Sequence, residues 1–102
     1  MEEQARIIDH YLCIQMPKEV DHHHAGRIKD TADELLLDEE VHNIVFDFEK
    51  TIFMDSSGVG IILGRMKKIR GLGGKVYIVH ANERLKKMLK LSGVYPYVEW
   101  KE

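Results

Sequence analysis

A single cysteine, Cys13, stands in this chain of 102 residues. It cannot form an internal disulfide. Its place in the apolar run Tyr11-Leu12-Cys13-Ile14 suits a small buried hydrophobe. No apolar run approaches the roughly 18–20 residues that a membrane span requires. The first residues, Met1-Glu2-Glu3-Gln4-Ala5-Arg6, are acidic and hold no signal-peptide core, so a cytoplasmic location is expected. Internal repeats, low-complexity tracts and linkers are missing. Aromatics do not interleave with the basic residues, which argues against direct nucleic-acid binding. Metal-ligand spacing is missing as well. His22, His23 and His24 are consecutive, and on a helix they point about 100° apart, so they cannot share one ion. No metal and no cofactor are expected.

What remains is one domain with one core, residues 1–102, at 44% hydrophobic and 31% charged. The net charge of −2 hides an asymmetry: residues 1–55 carry −9 and residues 56–102 carry +7. The plain reading is that the two halves attract across the surface. A sharper reading gives an acidic face and a basic face to different partners.

Arg6-Ile7-Ile8 and Tyr11 to Met16 read as two strands around an Asp9-His10 turn, closed by Pro17. Asp21 then reads as an N-cap. Ala25, Ile28, Ala32, Leu35 and Leu36 follow at helical spacing, and Asp38-Glu39-Glu40 falls in the loop beyond. Ile44 to Phe48 is the most apolar strand and is expected to be central and covered on both faces. A helix is expected over Gly58 to Arg70, ended by Gly71-Leu72-Gly73-Gly74. Lys75 to Val79 reads as a strand. Asn82 caps a helix over Glu83 to Leu91, and Val94 to Trp100 reads as the last strand. The order β-β-α-β-α-β-α-β predicts an α/β fold with a mixed, mostly parallel sheet of about five strands and an antiparallel first pair.

Phe53-Met54-Asp55-Ser56-Ser57-Gly58-Val59-Gly60 is the stretch that is not generic. It joins an apolar strand to a helix start, where unpaired N–H groups await an oxygen. A nucleotide loop fits poorly. Gly58, Gly60 and Gly64 give G-x-G-x-x-x-G, no lysine follows as in a P-loop, and the next strand ends in Val79-His80 without an acid. A nucleophilic serine lacks the G-x-S-x-G elbow, and His80 is its one candidate base. A magnesium cluster of Asp21, Asp47 and Asp55 has no supporting pattern. Simple capping by Asp55 or Ser56 explains the acid and the serine. It does not explain two glycines in the first turns, which suggest close approach by another helix or another chain. A phosphorylated serine at this position would meet the helix dipole and sit beside Asp55.

Phe53 to Arg65, with Glu19-Val20-Asp21-His22-His23 upstream, resembles the STAS-domain anti-sigma factor antagonists. The likeness continues through Gly73-Gly74-Lys75, Val76 to Val79 and Leu89 to Val94, and so covers nearly the whole chain. The histidine pair favours the sporulation branch, the sigma F pathway, over the general-stress branch. The resemblance implies a non-enzymatic binding switch with a single STAS-like fold. The unphosphorylated form would bind an anti-sigma factor that is a serine kinase, and so release the sigma factor. That kinase would phosphorylate Ser56, and a dedicated phosphatase would reverse it. The expected docking surface holds Asp21, His22, His23, Asp55, Ser56, Ser57, Gly58 and Val59, with Ser57 a cap or spacer. Family members usually add a C-terminal helix after the last strand, expected here to be absent or shortened. STAS domains attached to anion transporters leave a small-anion or nucleotide-binding domain as the alternative.

Overall fold

The computed structural model describes residues 4–101. Its elements are β1 (Ala5–Ile8), β2 (Tyr11–Gln15), β3 (Glu19–Val20), α1 (His22–Leu35), β4 (Asn43–Asp47), β5 (Phe53–Met54), α2 (Ser56–Gly71), β6 (Val76–Val79), α3 (Glu83–Leu91) and β7 (Glu99–Lys101). The main sheet has the order β1-β2-β4-β6-β7. β1 runs antiparallel to β2, through a turn in which Asp9 takes a left-handed φ of 55°. The other neighbours are parallel, each reached through a helical crossover or, for β7, through α3 and a short turn. The mixed sheet and the three helices agree with the sequence expectation.

Alternation decides which face of the sheet is covered. Leu12, Ile14, Ile44, Phe46, Val76 and Ile78 are buried and share one cluster with Ile28, Ala32, Ile62, Ile69, Leu85 and Leu89 of the helices. The intervening Cys13, Val45, Asp47 and Tyr77 are only half-buried. β4 is therefore central but covered on one face, not two. Its apolar run conceals a period of two, in which Asn43, Val45 and Asp47 turn away from the helices.

Two boundaries and one strand pair also differ from the sequence expectation. α2 begins at Ser56 rather than Gly58, because Asp55 supplies the cap. Val94 to Trp100 is not one strand. Tyr95–Tyr97 make a single 3-10 turn and only Glu99–Lys101 is extended. Pro96 lacks the N–H that a strand would need there, while buried Val94 and Val98 anchor the turn at each end. Finally, the two-residue strands β3 and β5 form a second, parallel pair.

Candidate functional site

That small pair positions the site. Glu19 lies opposite Phe53 and Val20 opposite Met54. The loops before them are stitched together: Thr51 Oγ1 donates to the Pro17 carbonyl at 2.7 Å and Ile52 N–H to the Lys18 carbonyl at 2.8 Å. Each strand runs straight into an aspartate and then into a helix. The starts of α1 and α2 therefore lie side by side. Asp55 N–H donates to the Val20 carbonyl at 3.1 Å, which ties one turn to the other.

Both aspartates cap: Asp21 as the sequence implies, and Asp55 where the sequence left Asp55 or Ser56 open. Asp21 Oδ1 accepts from the N–H groups of His23 and His24, each at 3.1 Å, and His24 Nδ1 lies 2.6 Å from the same oxygen. The His24 hydrogen bonds and charge hold the Asp21 carboxyl below its ordinary pKa. Asp55 Oδ1 accepts from Ser57 N–H at 2.8 Å. Ser56 occupies the first helical position with its side chain exposed, and Ser57 is half-buried. His22 and His23 are exposed, their rings edge-on at 6.1 Å.

Two grooves flank the start of α2. One lies between α1 and α2 and includes His22 and Ser57. The other lies between α2 and α3 and includes Ser56, Val59, Leu63, Met88 and Leu91. The two serines thus open in different directions. Gly58 is buried, and its smallness has an internal cause. A Cβ there would run into Met54 Cγ, come within 2.6 Å of Met54 Sδ and within 2.9 Å of Val20 Cγ1. The close approach at this glycine comes from β3 and β5 beneath it.

Other sequence candidates fall elsewhere. Asp47 is not grouped with Asp21 and Asp55. It meets His80, whose Nδ1 is 3.0 Å from Asp47 Oδ1, and that hydrogen bond raises the His80 pKa. The candidate base is thereby engaged at the ends of β4 and β6. Sequence reasoning missed Arg65, a buried cation on α2 whose Nε lies 3.0 Å from Asp33 Oδ1 of α1. No local spacing points to it; the sequence shows only that Asp33 can pair with Lys29 of its own helix, an ion pair of 3.6 Å in the structure.

A family model described as the STAS domain matches residues 2–101. An anti-sigma F factor antagonist of Paenibacillus polymyxa is 33% identical over 84 residues, 82% of this chain and 72% of the relative. The solved structure of the anti-sigma factor antagonist SpoIIAA in its unphosphorylated form superposes with a TM-score of 0.82 at 25% identity, covering 97% of this chain and 86% of that one. The phosphorylated form of the Bacillus cell fate determinant SpoIIAA superposes with a TM-score of 0.79 at 28% identity, covering 97% and 90%. No helix among the described residues is long and apolar enough to cross a membrane. With a STAS-domain model matching residues 2–101 and a relative 33% identical over 82% of its length, the chain belongs to the STAS domain family.

Proposed function

We propose that this chain is an anti-sigma factor antagonist, switched by phosphorylation of Ser56. The observation that carries the reading is the exposed Ser56 side chain, first in α2, directly after the Asp55 cap and beside the Asp21 turn. The unphosphorylated surface, Asp21 to His23 and Asp55 to Val59, docks an anti-sigma factor that is itself a serine kinase. Docking frees the sigma factor. Transfer of a phosphate to Ser56 adds about −1.5 to −2 charge next to two carboxylates. A surface that attracted a basic patch of the partner then holds a dense negative cluster, and the complex parts without refolding. A phosphatase acting on phospho-Ser56 restores the docking form. Support comes from the site's geometry and from the named relatives and solved structures.

The test is phosphate transfer from ATP by the anti-sigma F factor of the same organism, with the modified residue located by mass spectrometry. Ser56 is expected to carry the phosphate and Ser56→Ala none. Equal incorporation in Ser56→Ala would overturn the assignment and point to Ser57. Ser56→Asp is expected to bind the same partner at least tenfold more weakly by calorimetry.

A further inference from the structure

Three glycines sit inside helices without a steric reason. A Cβ built on Gly26 of α1, or on Gly60 or Gly64 of α2, meets nothing within 4 Å, and none of the three has a positive φ. Each weakens its helix relative to alanine. Gly58 is explained by Met54 and Val20, but nothing among the described residues explains these three. All three line the same groove of about 510 Å³ between α1 and α2, which begins beside His22 and Ser57.

Arg65 stands in the wall of that groove and is only 5% exposed. Among the described residues its Nε has no hydrogen-bond partner, although it lies 3.0 Å from Asp33 Oδ1 in an ion pair. Asp33 already accepts from Lys68 Nζ at 3.0 Å and has Lys29 Nζ at 3.6 Å. Asp33 thus balances three cations, of which Lys29 and Arg65 line the groove and Lys68 lies outside it, so the cations at this end of the groove outnumber their carboxylate. Burial opposes ionisation of Asp33, but its bond to Lys68 and the surrounding cations win and lower its pKa.

We infer that this groove receives a segment of the protein partner proposed above, presenting an acidic side chain to the exposed Lys29, above the buried Arg65, and laying its backbone along the glycines. The inference rests on that functional reading and names how the partner is oriented. Residues 57 to 65 extend about 12 Å along the helix, more than a single small anion fills. Bare glycine surface admits a backbone where side chains would hold it off. The groove adjoins the acidic turns of Asp21 and Asp55, so the surface runs from acidic to basic. A partner must present the opposite order, which fixes one docking direction.

Calorimetry against the anti-sigma F factor of the same organism tests this with Gly64→Leu and Lys29→Glu. Gly64→Leu is expected to remain folded and to bind about tenfold more weakly. Lys29→Glu is expected to bind about fivefold more weakly, with a deficit that shrinks as salt is raised. Should Gly64→Leu fail to fold, the double variant Gly60→Ala/Gly64→Ala carries the test. It is expected to melt several degrees above wild type while binding more weakly. Wild-type affinity in both the groove-filling and the Lys29→Glu variants overturns the groove and leaves the proposed function standing. Loss in the groove-filling variant alone overturns the acidic occupant. A saturable thermal shift with inorganic phosphate or free aspartate, lost in Gly64→Leu, overturns the protein occupant. Failure of the wild type to bind overturns both readings.

Discussion

The starts of α1 and α2 use one plan and finish it in opposite ways. Both follow a two-residue strand, and both are capped by aspartate. At the third helical position α1 has His24, whose ring turns back to Asp21, so one carboxylate oxygen serves three groups. α2 has Gly58 there, with no side chain, and its first turn settles against Met54 and Val20. The first start is held by polar bonds and the second by packing. Packing from below leaves the outer side of the second turn open. Asp55 keeps acceptor capacity, and Ser56 next to it remains exposed. The turn that is proposed to change its charge is thus the one that depends less on charge to stay folded.

The largest break in this comparison is expected from Gly58→Val. Met54 is 2% exposed and Val20 fully buried, so neither has solvent to move into. Overpacking of this kind costs about 1–3 kcal/mol, and a β-branched residue adds no helix preference to offset it. Gly60→Ala, two residues on and facing open space, is expected to raise stability by up to about 1 kcal/mol. Thermal denaturation of the two variants would therefore move in opposite directions. A similar loss at both positions would mean that the packing account of α2 is wrong.

A smaller effect is expected from Asp55→Ala. It removes one cap bond to Ser57 N–H and costs about 1 kcal/mol. Because Val20, Met54 and Gly58 still hold the turn, hydrogen exchange at α2 should remain protected beyond its first turn. Fraying of the whole helix in that variant would show that the cap, not the packing, organises this start.

The same contrast explains what the sequence discloses. Asp21 is readable as a cap, and Asp55 as one of two candidates beside Ser56, because capping is local: a side chain and amides two or three residues on. The helices are readable from their apolar spacing, and the antiparallel first pair from its short turn. β3 and β5 are not, since two residues show no period and their pairing joins segments 34 residues apart, as Glu19 with Phe53. Arg65 is hidden for the same reason, since its partner Asp33 belongs to another helix. The one-sided burial of β4 was masked by composition: Val45 is apolar yet faces away from the helices. Val94 to Trp100 misled through its alternation, which Pro96 interrupts.

The smallest effect separates the two caps by pH. The folded-state pKa of Asp21 lies below the ordinary carboxylate value of about 3.9. Its linkage contribution is therefore present above the unfolded value and is lost as pH falls through the folded one. Asp21→Ala should lower the melting temperature at about pH 5, where the Asp21 contribution is fully present. The gap to wild type should then narrow steadily through pH 4 and below, as the carboxylate that binds His24 is protonated in the wild type. His24→Ala, which keeps the backbone cap and removes the ring, should weaken that acid dependence while leaving Asp21 in place. An acid dependence identical in wild type and His24→Ala would place the stabilisation in the backbone bonds alone, and the two helix starts would then differ only in packing.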